Sequence, residues 1–88
     1  MPHVAVKLWP GKSDAQKREL SEAILRAMTG ILGASEASVS IGIEEIAAED
    51  WTEAVYEPEI LGKWETLTRQ PGYGRRPPDD RPPDDEPQ

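Results

Sequence analysis

The first 46 residues change their apolar period twice, from two to about 3.6 and back to two. That alternation limits the possible folds more than any other feature of the chain. Val4, Val6 and Leu8 alternate with His3, Ala5, Lys7 and Trp9, the pattern of a strand with one apolar face. Pro10-Gly11 is turn chemistry and ends it. Ser13-Asp14-Ala15-Gln16 reads as a capping box, with Ser13 at the N-cap and Gln16 three residues on. Leu20, Ile24, Met28 and Ile31, with Ala23 and Ala27 beside them, then mark one stripe of a helix running to about Leu32. Lys17, Arg18, Glu22 and Arg26 take the opposite face, so the stripe is expected to be core. Gly30 or Gly33 supplies the C-terminal stop. From Ser38 to Ile46 the period returns to two, with Val39, Ile41 and Ile43 on one face and Ser38, Ser40 and Gly42 on the other. A glycine inside a strand marks either a close approach, by a backbone or a ligand, or a tolerated defect.

Strand, helix and strand within fifty residues make a βαβ unit, so the fold class is α/β with parallel strands and a right-handed crossover. A two-stranded sheet leaves open edges and an uncovered face. The pattern therefore predicts that a homo-oligomer completes the sheet. Residues 47–56 read as a loop or short turn. Pro58 sits where a first helical residue would be, with Glu57 and Glu59 favourable at that end. Ile60, Leu61, Trp64 and Leu67 line one side of the short second helix this predicts, and Pro71-Gly72 stops it. Trp51, Trp64 and Tyr73 read as packing residues.

After Tyr73 no apolar side chain other than proline follows, and Arg-Pro-Pro-Asp-Asp occurs twice, at 76–80 and 81–85. Such a segment cannot bury enough surface to order itself. The expected organisation is one domain over residues 1–74 and a solvated low-complexity tail over 75–88.

The absence of cysteine excludes disulfides, and a single histidine is too few for an ordinary zinc centre. A net charge of −7 argues against nucleic acid as a partner and means that an anionic substrate needs a local cation. No signal peptide or membrane span is legible, so a cytoplasmic location is expected.

The chain opens Met1-Pro2. An initiator methionine ahead of a small residue is normally removed, which would leave Pro2 with a free secondary amine. A general base works best with a pKa near the working pH, and α-amino groups lie at about 7.7–8.0. Burial and a neighbouring cation lower such a value. If Met1 stays, the Pro2 nitrogen is an amide without basicity. His3 reads as an edge residue, Lys7 as a solvated or interface residue, and Glu44 and Glu45 as structural, since adjacent strand residues point to opposite faces.

Taken in order, Met1-Pro2 opening a strand, Gly11-Lys12-Ser13-Asp14 with Gln16-Lys17, Ser38-Val39-Ser40-Ile41 with Glu45, and the region of Trp51 resemble the 4-oxalocrotonate tautomerase superfamily. The similarity runs through Pro71-Gly72-Tyr73 and is to the phenylpyruvate-tautomerase-like bacterial branch. The resemblance implies a tautomerase that interconverts enol and keto forms of a small unsaturated carboxylic acid, with Pro2 as general base and no cofactor or metal. It implies that Lys12 and Ser40 stand where the family places arginines. Lys12 would hold the substrate carboxylate, from a site shared with a neighbouring subunit, and Ser40 would hydrogen-bond the enolate oxygen. Trp51 would wall the pocket. Lys12 keeps the charge but loses the bidentate fork, so a monocarboxylate with an aromatic or apolar end fits better than a diacid. A homodimer is the expected assembly, with a hexamer as its rival. Two other readings stay open: a non-catalytic oligomeric module that retains Met1, and a proline-dependent hydratase or dehalogenase.

Overall fold

The structure is a computed structural model that describes residues 1–78. It divides into two compact units, residues 1–49 and 50–88. The repeated segment from 79 onward, most of the expected tail, lies outside the described residues.

The first unit is the expected βαβ. Strand β1 (His3–Leu8) and strand β2 (Ser40–Glu45) pair in parallel, in a register that sets His3 against Ser40 and Ala5 against Gly42. Helix α1 (Asp14–Leu32) connects them. Its start is the capping box expected from the sequence. The Gln16 N–H donates to Ser13 Oγ at 3.0 Å, and the Ser13 N–H donates to Gln16 Oε1 at 2.9 Å. Gly33 closes the helix in the left-handed region, at φ 72°, and its N–H donates to the Thr29 carbonyl at 3.1 Å.

Val4, Val6, Ile41 and Ile43 are half-buried, while His3, Ala5, Ser40 and Gly42 are exposed. One face of the sheet is thus shaded and the other open. Nothing lies within 4 Å of where a Gly42 Cβ would stand, so within one chain Gly42 answers to no close approach. Helix α1 departs from its expected stripe. Ile24 and Met28 are half-buried, but Leu20 is 39% exposed and Ile31 81%. The shaded positions run instead through Lys17, Ser21, Ile24, Leu25 and Met28. Two strands shade only a narrow strip of a helix, so part of the apolar stripe is left over. No described residue of this unit is fully buried.

The second unit holds the described residues that are buried: Val55, Tyr56 and Trp64. Its second helix is a π-helix, Thr52–Leu61, that starts six residues before Pro58 and carries that proline inside. The loop or short turn expected over 47–56 is a 3₁₀ turn at Ala48–Asp50, and its later residues already belong to that helix. Proline favours a first helical turn because its missing N–H is not needed there. In the wider i→i+5 turn it forfeits a single bond of a different register. The π pattern continues to the end, where the Gly62 N–H donates to the Glu57 carbonyl at 2.9 Å. A Cβ at Gly62 would stand 2.5 Å from the Pro58 carbonyl oxygen, so only glycine fits that closing turn. A further 3₁₀ turn, Trp64–Thr66, follows.

Candidate active site

Pro2 stands immediately ahead of β1 and is half-buried, next to a fully exposed Met1. β2 anchors it: the Ser40 N–H donates to the Pro2 carbonyl at 3.2 Å. The same serine is held from its side chain, with Oγ 2.6 Å from Nδ1 of His3. Ser40 thus ties the residue before β1 through its backbone and the first residue of β1 through its hydroxyl. Both side chains of that second contact lie on the open face of the sheet.

Lys12 is exposed on the segment between β1 and α1. It follows the far end of β1, and a six-residue strand spans roughly 20 Å. One chain therefore brings Pro2, His3 and Ser40 together and leaves its own Lys12 at the opposite end of the strand.

A different lysine is paired nearby. Lys17 Nζ lies 2.7 Å from Glu45 Oε2 and 3.8 Å from Asp14 Oδ1. The hydrogen bond to Glu45 raises the Lys17 pKa above its ordinary 10.5, with burial opposing and the charges of Glu45 and Asp14 adding to the rise. Glu45 is therefore a structural partner, in line with its reading from sequence.

Trp51 belongs to the second unit, at the head of the π-helix, and is half-buried. Its indole N–H donates to the Tyr73 hydroxyl at 3.0 Å. Tyr73 in turn packs its ring against Tyr56, with centroids 5.4 Å apart and planes inclined by 49°. The buried Tyr56 hydroxyl donates to the carbonyl of Arg75 at 2.6 Å and lies 3.1 Å from that of Tyr73. Arg75 bonds Glu57 at 3.1 Å, and the Arg76 guanidinium lies 5.3 Å above the Trp64 ring. Gly74 makes the crossing possible. Its φ is 79°, and a Cβ there would stand 2.5 Å from the Tyr56 ring. The aromatic residues that sequence reading assigns to packing do pack, and they also fix the indole of Trp51. Nothing in their spacing announces that network. His3 was legible only as an edge residue, because its contact with Ser40 depends on the pairing register.

No cluster of three His, Cys, Asp or Glu able to hold a metal occurs among the described residues. No described helix is long and apolar enough to cross a membrane.

The family model for tautomerase enzymes matches residues 2–56, starting at Pro2. A probable tautomerase of Xylella fastidiosa is 37% identical over 82 residues, covering 91% of this chain and all of its own length. Tautomerase PptA of Cronobacter sakazakii is 38% identical over 74 residues, covering 83% of this chain and 97% of its own. Among solved structures, YwhB, a homologue of 4-oxalocrotonate tautomerase, superposes with a TM-score of 0.51 at 41% identity, over 52% of this chain and 75% of that one.

Proposed function

We propose that this chain, which belongs to the tautomerase family, moves a proton between the oxygen and carbon positions of a small enol or 2-oxo acid, with Pro2 as the base. The observation that carries this reading is the setting of Pro2: half-buried, held at the head of a paired strand by Ser40, and next to an exposed Met1. Loss of Met1 gives Pro2 a secondary amine there. That nitrogen takes the enol O–H proton and returns it to the neighbouring carbon, so the substrate gains and loses no atoms. Such a shift needs no electron sink and no resident metal.

Developing negative charge on the substrate oxygen calls for nearby donors, since the chain as a whole carries −7. The Ser40 hydroxyl is the donor beside Pro2. Lys12 supplies the carboxylate site. Its place beyond the far end of β1 supports a site completed by the Lys12 of a second copy. Oligomerisation is supported further by a βαβ unit with no fully buried residue and by the exposure of Ile31 and Leu32, 81% and 63%. Lys12 offers a point charge without a bidentate fork, and a monocarboxylate with an aromatic or apolar end is the substrate class this favours.

Ketonisation of the enol of phenylpyruvate, followed in the ultraviolet, tests the reading. Pro2→Ala is expected to lower kcat/KM by at least ~100-fold, the scale of a general base. Intact mass of the active protein should lack one methionine. A full-length mass in a fully active sample would end the proposal.

A further inference from the structure

The 2.6 Å contact between His3 Nδ1 and Ser40 Oγ goes beyond what the functional reading requires. A serine hydroxyl has one hydrogen and two lone pairs. If His3 accepts, that hydrogen is spent on the imidazole and Ser40 has nothing to offer a substrate oxygen. If His3 donates from Nδ1–H, a Ser40 lone pair is satisfied and the hydroxyl hydrogen is left to point elsewhere. Both side chains are exposed on the open face of the sheet, so the hydrogen has room to meet a substrate. The register that pairs His3 with Ser40 also puts the Ser40 N–H on the Pro2 carbonyl. The residue that carries the donor is thereby tied through its backbone to Pro2.

We infer that His3 is a positioning residue for the reaction: its Nδ1–H donates to Ser40 Oγ, and the Ser40 hydroxyl then donates to the substrate oxygen that becomes negative. Ser40 keeps its proton throughout, and the proton that moves is carried by Pro2. The inference rests on the reading of Pro2 and Ser40 given above. A bond that tightens only as charge develops should appear in kcat and not in KM.

The test is a double-mutant cycle on ketonisation of the phenylpyruvate enol, with folding checked by circular dichroism. His3→Ala and Ser40→Ala should each lower kcat about tenfold with KM unchanged, on the scale of one hydrogen bond. The double variant should lose no more than either alone, because both changes remove one bond chain. His3→Asn places an amide N–H close to the Nδ1 position and should recover most of the lost kcat. Multiplying losses, a change confined to KM, or failure of His3→Asn to rescue would each overturn the assignment. Pro2→Ala runs beside them. If it is fully active, the tautomerase reading falls and takes this inference with it; if it is inactive while the cycle multiplies, only the role of His3 falls.

Discussion

At the scale of single residues, chemistry and stability rest on different side chains. Lys12 is an exposed point charge on a connecting segment, so its removal should act on binding. Lys12→Ala is expected to raise KM for the phenylpyruvate enol with kcat largely kept, and added salt should raise the wild-type KM in the same direction. Tyr56 is the opposite case. It is 5% exposed, and its hydroxyl donates its one hydrogen to the Arg75 carbonyl at 2.6 Å, with the Tyr73 carbonyl 3.1 Å away. Tyr56→Phe should cost about 0.5–1.5 kcal/mol, the net worth of one hydrogen bond, read as a lower urea midpoint. Which residues do which job was only partly legible. The roles proposed for Pro2, Lys12 and Ser40 come from the resemblance of the short stretches that hold them. The Tyr56 contacts bridge 17 and 19 positions, and no local pattern encodes them.

At the scale of elements, legibility followed locality. The capping box and Gly33 stop of α1 are made by neighbours in sequence, and the helix has the bounds they announce. The π-helix Thr52–Leu61 was misplaced because Pro58 is a strong start signal for an α-helix and a weak guide to a wider turn. Which face of α1 is shaded was missed as well. Periodicity finds an apolar stripe but not the width of the sheet that covers it. The observed face carries Lys17, whose ion pair with Glu45 of β2 ties helix to sheet. Its folded pKa is raised, so the pair contributes stability that is complete below the ordinary lysine value of 10.5 and lost as pH climbs through the folded value. A Lys17→Met variant should therefore melt below wild type at about pH 9, and the gap should narrow at more alkaline pH. Both side chains are partly exposed, so the difference will be small.

At the scale of the molecule, the proposed oligomer follows from a 9.8 kDa chain whose βαβ unit has no buried residue among those described. Sedimentation should give a mass at least twice that value, and the melting temperature should fall on dilution, as it does when folding and association are coupled. A concentration-independent melt at the monomer mass would remove the second copy from which Lys12 is drawn. The open edges of a two-stranded sheet were legible in the sequence and are present in the fold, whereas a copy number is not legible, because it depends on surfaces that one chain does not define. The way Ser40 grips the Pro2 carbonyl carries a practical corollary. On the proposed mechanism, any peptide fused ahead of Pro2 would keep its nitrogen an amide, while the strand pairing, made through the Pro2 carbonyl, has no need of that nitrogen. A front-tagged preparation is therefore expected to keep its circular dichroism spectrum and lose its activity, and a tag fused at the other terminus is expected to spare both.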